Sequence, residues 1–137
     1  MKTVFLDTNV VIDLLDKREG FYIDALKIFR KAYNKEIKIY ISPLTYATAS
    51  YILRKHEKSE LMVLLSNLRQ LVSISICDET VVDNSLTSDF DDFEDAMQYY
   101  CALSSDAEMI ITRNKKDFDK SEIMVLSPSE FLSLMYE

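Results

Sequence analysis

The side chains in this sequence that are best suited to chemistry are polar groups placed directly after apolar runs. Two such groups are Asp7, Thr8 and Asn9 after residues 3–6, and Thr112, Arg113 and Asn114 at the end of residues 109–112. A carboxylate that ends a buried strand is partly desolvated, which costs roughly several kcal/mol unless it is paired or holds a metal. Asp7 is therefore the strongest single candidate for a functional residue.

Further carboxylates lie close to the second group in the sequence. Asp117 follows Asn114 by three residues. Asp92, Glu94 and Asp95 open a predicted helix that precedes residues 109–112. Asp92 and Asp95 share one side of that helix, where they repel each other unless a cation neutralises them. In the simpler interpretation these acids only stabilise the helix N-terminus, by about 0.3–1 kcal/mol each. Taken alone, the acidic turn favours this simpler interpretation.

The residue types limit a metal to one that oxygen ligands hold. One histidine, His56, and two separated cysteines, Cys77 and Cys101, cannot build a His/Cys zinc site. That leaves Mg²⁺, Mn²⁺ or Ca²⁺, and carboxylates at strand ends suit Mg²⁺ or Mn²⁺, which activate water for phosphodiester hydrolysis. The sequence has no GxSxG, Walker A or GxGxxG motif, so no nucleophile elbow or phosphate-binding loop is predicted.

The net charge of −7 counts against a nucleic-acid partner at first sight, because nucleic-acid binders are usually basic. Two features weaken that objection. A carboxylate cluster that binds a cation adds negative formal charge, which the cation neutralises. The basic residues are also grouped, within residues 54–58 and 113–120, and these groups suit solvated surfaces and phosphate contacts about equally.

Five short apolar runs predict the strands that must position these residues: 3–6, 38–41, 72–76, 109–112 and 123–126. Helical spacing of the apolar residues between them predicts strands that alternate with helices, which is typical of a parallel sheet covered by helices on both faces. Ligands of such sheets bind at the carboxyl ends of the strands, near the point where strand order reverses. Both polar groups follow strands at that end.

Two helix starts are predicted in detail. Thr8 or Asn9 is expected to cap a helix that begins near Val10. A second helix is expected to start at Ser42 and Pro43, because proline is well tolerated in a first turn. The inward side chains of this second helix are predicted to be Leu44, Ala47, Tyr51 and Ile52.

The length of 137 residues predicts a single domain, 1–137, with a full hydrophobic core. Lys2 is followed at once by a strand-like run, so no signal peptide is expected. No apolar stretch reaches the ~18 residues that a membrane span needs. Together with two cysteines that suit free thiols, these features predict a cytoplasmic protein without membrane contact.

Four segments together resemble the PIN domain family, of the kind found in VapC-type toxin ribonucleases of toxin–antitoxin pairs: residues 5–10, 41–45, 92–96 and 110–118. They occur in the family's order and span nearly the whole chain. The resemblance implies an α/β fold, a three-layer α/β/α sandwich around a parallel sheet of about five strands. It also implies Mg²⁺ or Mn²⁺ as cofactor, RNA as substrate and, for a toxin, an antitoxin protein as partner.

The resemblance also assigns roles by position. Asp7 resembles the family's first metal-binding carboxylate, and Asp95 resembles the one on the helix before strand four. Thr112 resembles the family's threonine at the end of that strand. Asn9 resembles the residue that orients the first aspartate.

Two positions depart from the family's pattern. Thr48 stands where the family usually has a glutamate, and Asn114 stands where it often has an aspartate. Both side chains supply oxygen without negative charge, and losing two of four carboxylates should weaken Mg²⁺ binding. Asp117 is a candidate to compensate for Asn114, and Glu94 or Asp92 to compensate for Thr48.

Three functional hypotheses follow. The favoured one is a metal-dependent endoribonuclease that hydrolyses RNA. In one form of this hypothesis the protein is the toxin of a toxin–antitoxin pair. Its predicted site comprises the metal ligands Asp7, Asp95 and Asp117, the positioning residues Asn114 and Thr112, and the phosphate contacts Arg113, Lys115 and Lys116. The second is a catalytically degenerate PIN domain that binds RNA or a protein without cleavage. The third is an interaction domain whose apolar helices form a homodimer or hold an antitoxin helix.

Overall fold

The computed structural model describes residues 1–136, in which strands and helices alternate. The strands are β1 (Lys2–Leu6), β2 (Ile37–Ile41), β3 (Ser73–Ile74), β4 (Met109–Ile111) and β5 (Met124–Leu126). The helices are α1 (Thr8–Leu15), α2 (Tyr22–Tyr33), α3 (Pro43–Ile52), α4 (Lys58–Leu71), α5 (Glu79–Leu86), α6 (Phe93–Ser104) and α7 (Pro128–Met135). A short 3-10 helix, Lys115–Phe118, follows β4. Within residues 1–136, every helix is too short or too polar to cross a bilayer.

The five strands form one parallel sheet in the order β3-β2-β1-β4-β5, which confirms the predicted sheet. From β1 the chain adds β2 and β3 on one side and then β4 and β5 on the other. Strand order therefore reverses between β1 and β4, where open sheets bind their ligands. The backbone N–H of Asp7 donates to the Ile111 carbonyl oxygen across this junction at 3.0 Å, so the ends of β1 and β4 lie side by side.

Helices cover both faces of the sheet. Val4 and Leu6 of β1 pack into an apolar cluster with side chains of α1, α2, α4 and α7. Phe5 points to the opposite face, because successive strand side chains alternate, and packs with α5, α6 and the 3-10 helix. The three-layer α/β/α sandwich is confirmed.

The start of α1 differs from the prediction. The helix begins at Thr8, and its N-cap is Asp7, whose backbone is extended and whose Oδ1 accepts a hydrogen bond from the Thr8 N–H. The prediction that Thr8 or Asn9 caps a helix from near Val10 is wrong. Asp7 is therefore the single residue that connects β1 to α1, and its carboxylate caps the helix.

The prediction for the buried side of α3 is wrong in part, since Leu44 and Ile52 are half-buried. Ser42 caps this helix and Pro43 opens it, as expected, but Ala47 and Tyr51 are exposed. Thr45 and Ala49 are buried instead. Small and apolar side chains occur all round this helix, so their spacing does not define one inward face. Strand β3 is likewise shorter, at two residues, than the predicted run 72–76.

Candidate active site

Asp7 lies at the junction of β1 and β4 with only 8% of its surface exposed. Its Oδ1 accepts hydrogen bonds from the Thr8 backbone N–H at 2.8 Å and from Gln98 Nε2 at 3.2 Å. Its Oδ2 accepts from Thr112 Oγ1 at 2.8 Å and from Asn9 Nδ2 at 3.4 Å. An ionised carboxylate has about four acceptor positions, so protein donors hold the whole group in one orientation.

Burial and these donors shift the pKa of Asp7 in opposite directions. Burial raises the pKa, because the charged form loses its hydration. Hydrogen bonds from Thr112, Gln98 and Thr8 act in the opposite direction, and the negative charge of Asp117 adds to the rise. The net direction is upward, so burial outweighs the hydrogen-bond donors.

Asp95 lies in the first turn of α6, close to the other acids. Its pKa is raised to about 7, first by desolvation and then by the charges of Asp92, Asp7, Asp117 and Glu94. The fold therefore brings the three predicted metal carboxylates, from β1, α6 and the 3-10 helix, within electrostatic reach of one another. Asp92 also caps α6, since its Oδ1 accepts from the Asp95 N–H at 3.0 Å, so the simpler interpretation of the acidic turn holds for that residue.

The carboxylates are not preassembled as a metal site. Among residues 1–136, no group of three or more His, Cys, Asp or Glu side chains lies in an arrangement that could hold an ion as it stands. The residues fit a divalent cation in charge and ligand type, because an oxygen-bound cation relieves the repulsion that, after desolvation, raises the pKa of Asp95. Binding would require the side chains of Asp95 and Asp117 to move towards Asp7.

Thr112 and Asn9 tie the ends of the two strands together. Thr112 is fully buried, and its Oγ1 donates to Asp7 while accepting from Asn9 Nδ2 at 3.3 Å and from the Asn114 N–H at 3.0 Å. Asn9 Oδ1 accepts from the Arg113 N–H at 3.3 Å. This arrangement is compatible with the orienting role predicted for Asn9. The exposed residue Asn114 precedes the 3-10 helix that carries Asp117.

The cationic residues after β4 have contacts within the protein that the sequence did not predict. Arg113 forms a two-pronged ion pair with Asp13, Nε to Oδ2 at 2.7 Å and Nη2 to Oδ1 at 3.1 Å, and its guanidinium lies 3.9 Å from the centroid of the Phe21 ring. Lys115 Nζ contacts both carboxylate oxygens of Glu130, at 2.9 and 3.1 Å. Lys116 is exposed. The phosphate contacts of these three residues stay predictions.

A groove of about 360 Å³ opens beside Arg113. Its walls come from the segment before α2, from α2 and from the start of α7, and they comprise Gly20, Phe21, Asp24, Arg113, Ser127, Pro128 and Ser129. Arg113, which directly follows Thr112, is the residue that links this groove to the end of β4. The groove combines an aromatic ring, a planar cation and hydroxyl groups.

Two buried polar residues were missed by the sequence reasoning. Asp13 lies in the apolar helix α1, and a carboxylate inside such a run signals a buried partner, which is Arg113. Gln98 stands three residues after Asp95 and therefore faces the same side of α6. That spacing was the available signal, and the structure places the Gln98 amide against Asp7 and Thr8.

Comparisons with known proteins agree with this architecture. A PIN domain family model matches residues 3–116. Ribonuclease VapC1 of Aquifex aeolicus (strain VF5) is 25% identical over 133 residues, which cover 93% of this chain and 92% of that protein. The structure of VapBC-1 from nontypeable Haemophilus influenzae superposes with a TM-score of 0.66 at 18% identity, covering 93% of this chain and 98% of the other. VapBC2 from Rickettsia felis, bound to a DNA fragment from its promoter, gives a TM-score of 0.63 at 18% identity, covering 91% and 97%.

Proposed function

We propose that this chain, which belongs to the PIN domain family, is a metal-dependent endoribonuclease that hydrolyses RNA phosphodiester bonds. The observation that carries the proposal is the approach of Asp7, Asp95 and Asp117 at the strand-order reversal, where desolvation and then the neighbouring negative charges raise the pKa of Asp95 to about 7. Perturbed carboxylates gathered at such a position are typical of functional sites. The relative from Aquifex aeolicus carries the name ribonuclease, which favours RNA as the substrate.

In this proposal Asp7, Asp95 and Asp117 would hold Mg²⁺ or Mn²⁺. When bound, the ion supplies an acidified water molecule and positive charge near the leaving oxygen of the phosphodiester. The protein's own contribution is to orient Asp7, through the donors Thr112, Asn9 and Thr8, so that the carboxylate stays in place. Such donors to ligand carboxylates are worth about 10–100-fold in metal affinity or activity.

RNA would approach from the side of the 3-10 helix. Lys116 is exposed there and suits a phosphate contact. Arg113 keeps its pairing with Asp13 and presents a flat cation stacked on Phe21, a surface on which nucleobases also stack. Lys115 would exchange its contact with Glu130 for a phosphate, and Asn114 would position water or substrate at the same edge.

We further propose that the protein is the toxin of a toxin–antitoxin pair, acting as a single domain in the cytoplasm. The family membership and the likeness to VapBC structures support this proposal. An antitoxin protein would then be its partner, and a homodimer is a second candidate assembly. The chain's negative charge of −7 suits a basic protein partner.

Thr48 and Asn114 favour one alternative, a degenerate PIN domain that binds RNA or a protein without cleavage. Neither residue brings negative charge to the site, and hard cations depend on charged oxygen ligands. The internal contacts of Arg113 and Lys115 also favour the degenerate alternative, because they leave fewer free cations for phosphate. The two functions differ in one measurable respect, which is cleavage of RNA.

The test is cleavage of a mixed RNA pool by the purified protein with Mn²⁺, with EDTA, and with the variant Asp7→Asn. We expect cleavage that EDTA abolishes and that Asp7→Asn lowers by more than about 100-fold, since even residues that only hydrogen-bond to metal ligands are worth about 10–100-fold. Asparagine is also a good N-cap residue, so α1 keeps its start. The matched control Asp89→Asn, at an exposed loop position, should cleave like the unchanged protein.

Two results separate the alternatives. Cleavage that persists in EDTA, or in Asp7→Asn, contradicts the metal-dependent mechanism. Absence of cleavage together with Mn²⁺-dependent RNA binding favours the degenerate alternative.

A further inference from the structure

Phe21 provides the flat apolar surface of the groove beside Arg113. The guanidinium of Arg113 lies 3.9 Å from the centroid of the ring, yet 45% of Phe21 is exposed, so part of the ring surface stays uncovered. Aromatic rings and guanidinium planes are the surfaces on which unpaired RNA bases stack. The groove volume of about 360 Å³ lies within the range of roughly 300–1,000 Å³ that is typical of small-molecule sites. The groove therefore suits one flat ring system packed against Phe21.

Asp24 gives this groove a hydrogen-bonding edge. It stands three residues after Phe21 in the first turn of α2, and it lines the same groove. Within residues 1–136, Asp24 forms no ion pair, and no side chain caps this end of α2. Its carboxylate therefore keeps acceptor positions for a ligand.

A carboxylate selects among the RNA bases by the donors that they present. When ionised it only accepts hydrogen bonds. Guanine carries two adjacent donors on its Watson–Crick edge, N1–H and the N2 amino group, which match the two oxygens of one carboxylate. The other three bases place an acceptor beside their donor on that edge, and a carboxylate repels it. The exposed hydroxyl of Ser129, in the wall from α7, is a donor suited to the guanine acceptors O6 and N7.

Arg113 connects the groove to the acidic site. Its side chain lines the groove, and its backbone N–H donates to Asn9 Oδ1 at 3.3 Å. Asn9 Nδ2 in turn donates to Asp7 Oδ2 at 3.4 Å. The main chain of a groove residue is therefore two hydrogen bonds away from the Asp7 carboxylate, so a base in the groove and a phosphate at Asp7 can belong to one RNA strand.

We propose that this groove binds one guanine base of the RNA substrate, with the base stacked on Phe21 and its N1–H and N2 amino group donating to Asp24. The inference rests on the proposed function, because it names a base that the substrate carries. An arginine side chain of a partner protein has similar donors. It would bring a second cation beside Arg113, whereas a base is neutral, so the groove favours the base.

The test is a titration with GMP, IMP, AMP and UMP in EDTA, followed by the amide NMR signals of Gly20, Phe21 and Asp24. The four nucleotides share the phosphate, so differences between them report the base. We expect GMP to bind most tightly, with IMP about 10-fold weaker because it lacks only the N2 amino group. AMP and UMP should be weaker by about 5–100-fold, the discrimination that one two-pronged contact provides.

Two variants separate stacking from edge recognition. Phe21→Ala is expected to weaken the binding of all four nucleotides by about 5–100-fold, since the base loses its stacking partner. Asp24→Asn should make GMP and IMP equal, because an amide replaces one of the two acceptors with a donor. Tyr33→Ala, an exposed aromatic on α2, and Glu79→Gln, an exposed acid in the first turn of α5, are the matched controls and should bind like the unchanged protein.

Several results would overturn the inference. Equal affinity for the four nucleotides contradicts it, and so does a preference for GMP that Asp24→Asn retains. Signals that shift with N-acetylarginine amide and not with GMP assign the groove to a partner protein instead. If Phe21→Ala does not fold, the comparison of GMP with IMP in Asp24→Asn decides by itself.

The outcomes also distinguish this inference from the proposed function, because nucleotide binding in EDTA needs no cleavage. A preference for GMP that Asp24→Asn removes, without RNA cleavage in Mn²⁺, supports the guanine site and contradicts the nuclease. Cleavage that EDTA abolishes, without a preference for GMP, keeps the nuclease and removes the guanine site.

Discussion

Asp7 and Asp95 carry the same functional group in different surroundings. Asp7 is buried, and four protein donors hold it, so its orientation is fixed before any ligand binds. Asp95 is partly exposed, and desolvation first and then the like charges around it raise its pKa to about 7. With a pKa of about 7, Asp95 takes up a proton near neutral pH in the absence of a cation.

This difference predicts how stability without metal depends on pH. Asp95 has a pKa of 3.8 as a reference and about 7 in the folded protein, so between these values the folded state binds more protons than the unfolded state. Its contribution to stability is fully present below 3.8 and is lost as the pH rises through about 7. Asp7 acts in the same direction, because its pKa is also raised.

Melting temperatures in EDTA at about pH 5.5 and about pH 8 test this prediction. The variant Asp95→Asn should reduce the fall in melting temperature and raise it by about 2–4 °C at the higher pH, since solvent screening reduces the penalty at this partly exposed group. Asp89→Asn is the matched exposed control. Equal pH dependence in Asp95→Asn and in the unchanged protein would show that the raised pKa of Asp95 is not the cause.

At the scale of elements, the pair Asp13–Arg113 joins α1 to the segment after β4. Asp13 is 1% exposed, and Arg113 provides its two short contacts, while Arg18 Nη1 lies 3.9 Å away. Phe21 packs on the guanidinium. Because Thr112 and Asn114 flank Arg113, this pair holds the chain in place on both sides of the candidate active site.

Removing one member of the pair should destabilise the fold strongly. Arg113→Met leaves Asp13 buried without its main partner, a change that costs about 3–5 kcal/mol in comparable pairs, and the lower end is expected because Arg18 remains nearby. Urea unfolding measures the change. The double variant Asp13→Leu with Arg113→Met should recover most of the loss, since a well-packed apolar pair is often as stable.

The control for this experiment is Arg30→Met, at an exposed position on α2, which should change stability by less than about 0.5 kcal/mol. A loss below about 1 kcal/mol for Arg113→Met means that the pair does not hold the segment. In that case Arg113→Met can be used to measure the predicted contact of Arg113 with RNA phosphate separately from any effect on stability.

The elements could be predicted from sequence better than the contacts between them. Short apolar runs and helical spacing indicate strands and helices, because both patterns are local. The partners of Asp13 and Gln98 lie 100 and 91 residues away, and no local pattern specifies them. The cap of α1 was assigned to Thr8 or Asn9 and not to Asp7, because all three residue types favour the N-cap position and their order in the sequence does not decide between them. The inward face of α3 was predicted incorrectly because small and apolar residues occur all round that helix, so their spacing does not define one face.

At the scale of the whole molecule, the net charge of −7 opposes the approach of RNA. Salt screens such long-range repulsion, as the Debye length falls from about 30 Å at 0.01 M to about 8 Å at 0.15 M. We therefore predict that kcat/KM for a short RNA, at saturating Mn²⁺, rises several-fold between these salt concentrations. A protein that relied on many phosphate contacts would show a steep fall instead.

Charge variants distant in sequence from the site residues provide the control. Asp83→Lys and Glu60→Lys change exposed residues on α5 and α4 and together bring the charge from −7 to −3, since each adds two positive units. This double variant should cleave faster than the unchanged protein at low salt and show a weaker rise with salt. A steep fall of kcat/KM with salt in the unchanged protein contradicts this electrostatic interpretation.

The arrangement of the sheet also bears on how this protein can assemble with others. Its two edges are β3 and β5, with two and three residues, while the longer strands lie inside. Short edges offer few free N–H and C=O groups, so they resist the addition of a strand from another chain. Apolar side chains are instead exposed on helices, including Tyr51 on α3 and Leu86 on α5. A second chain would therefore meet this protein by packing on its helices, and extension of the sheet into aggregates is disfavoured by the fold itself.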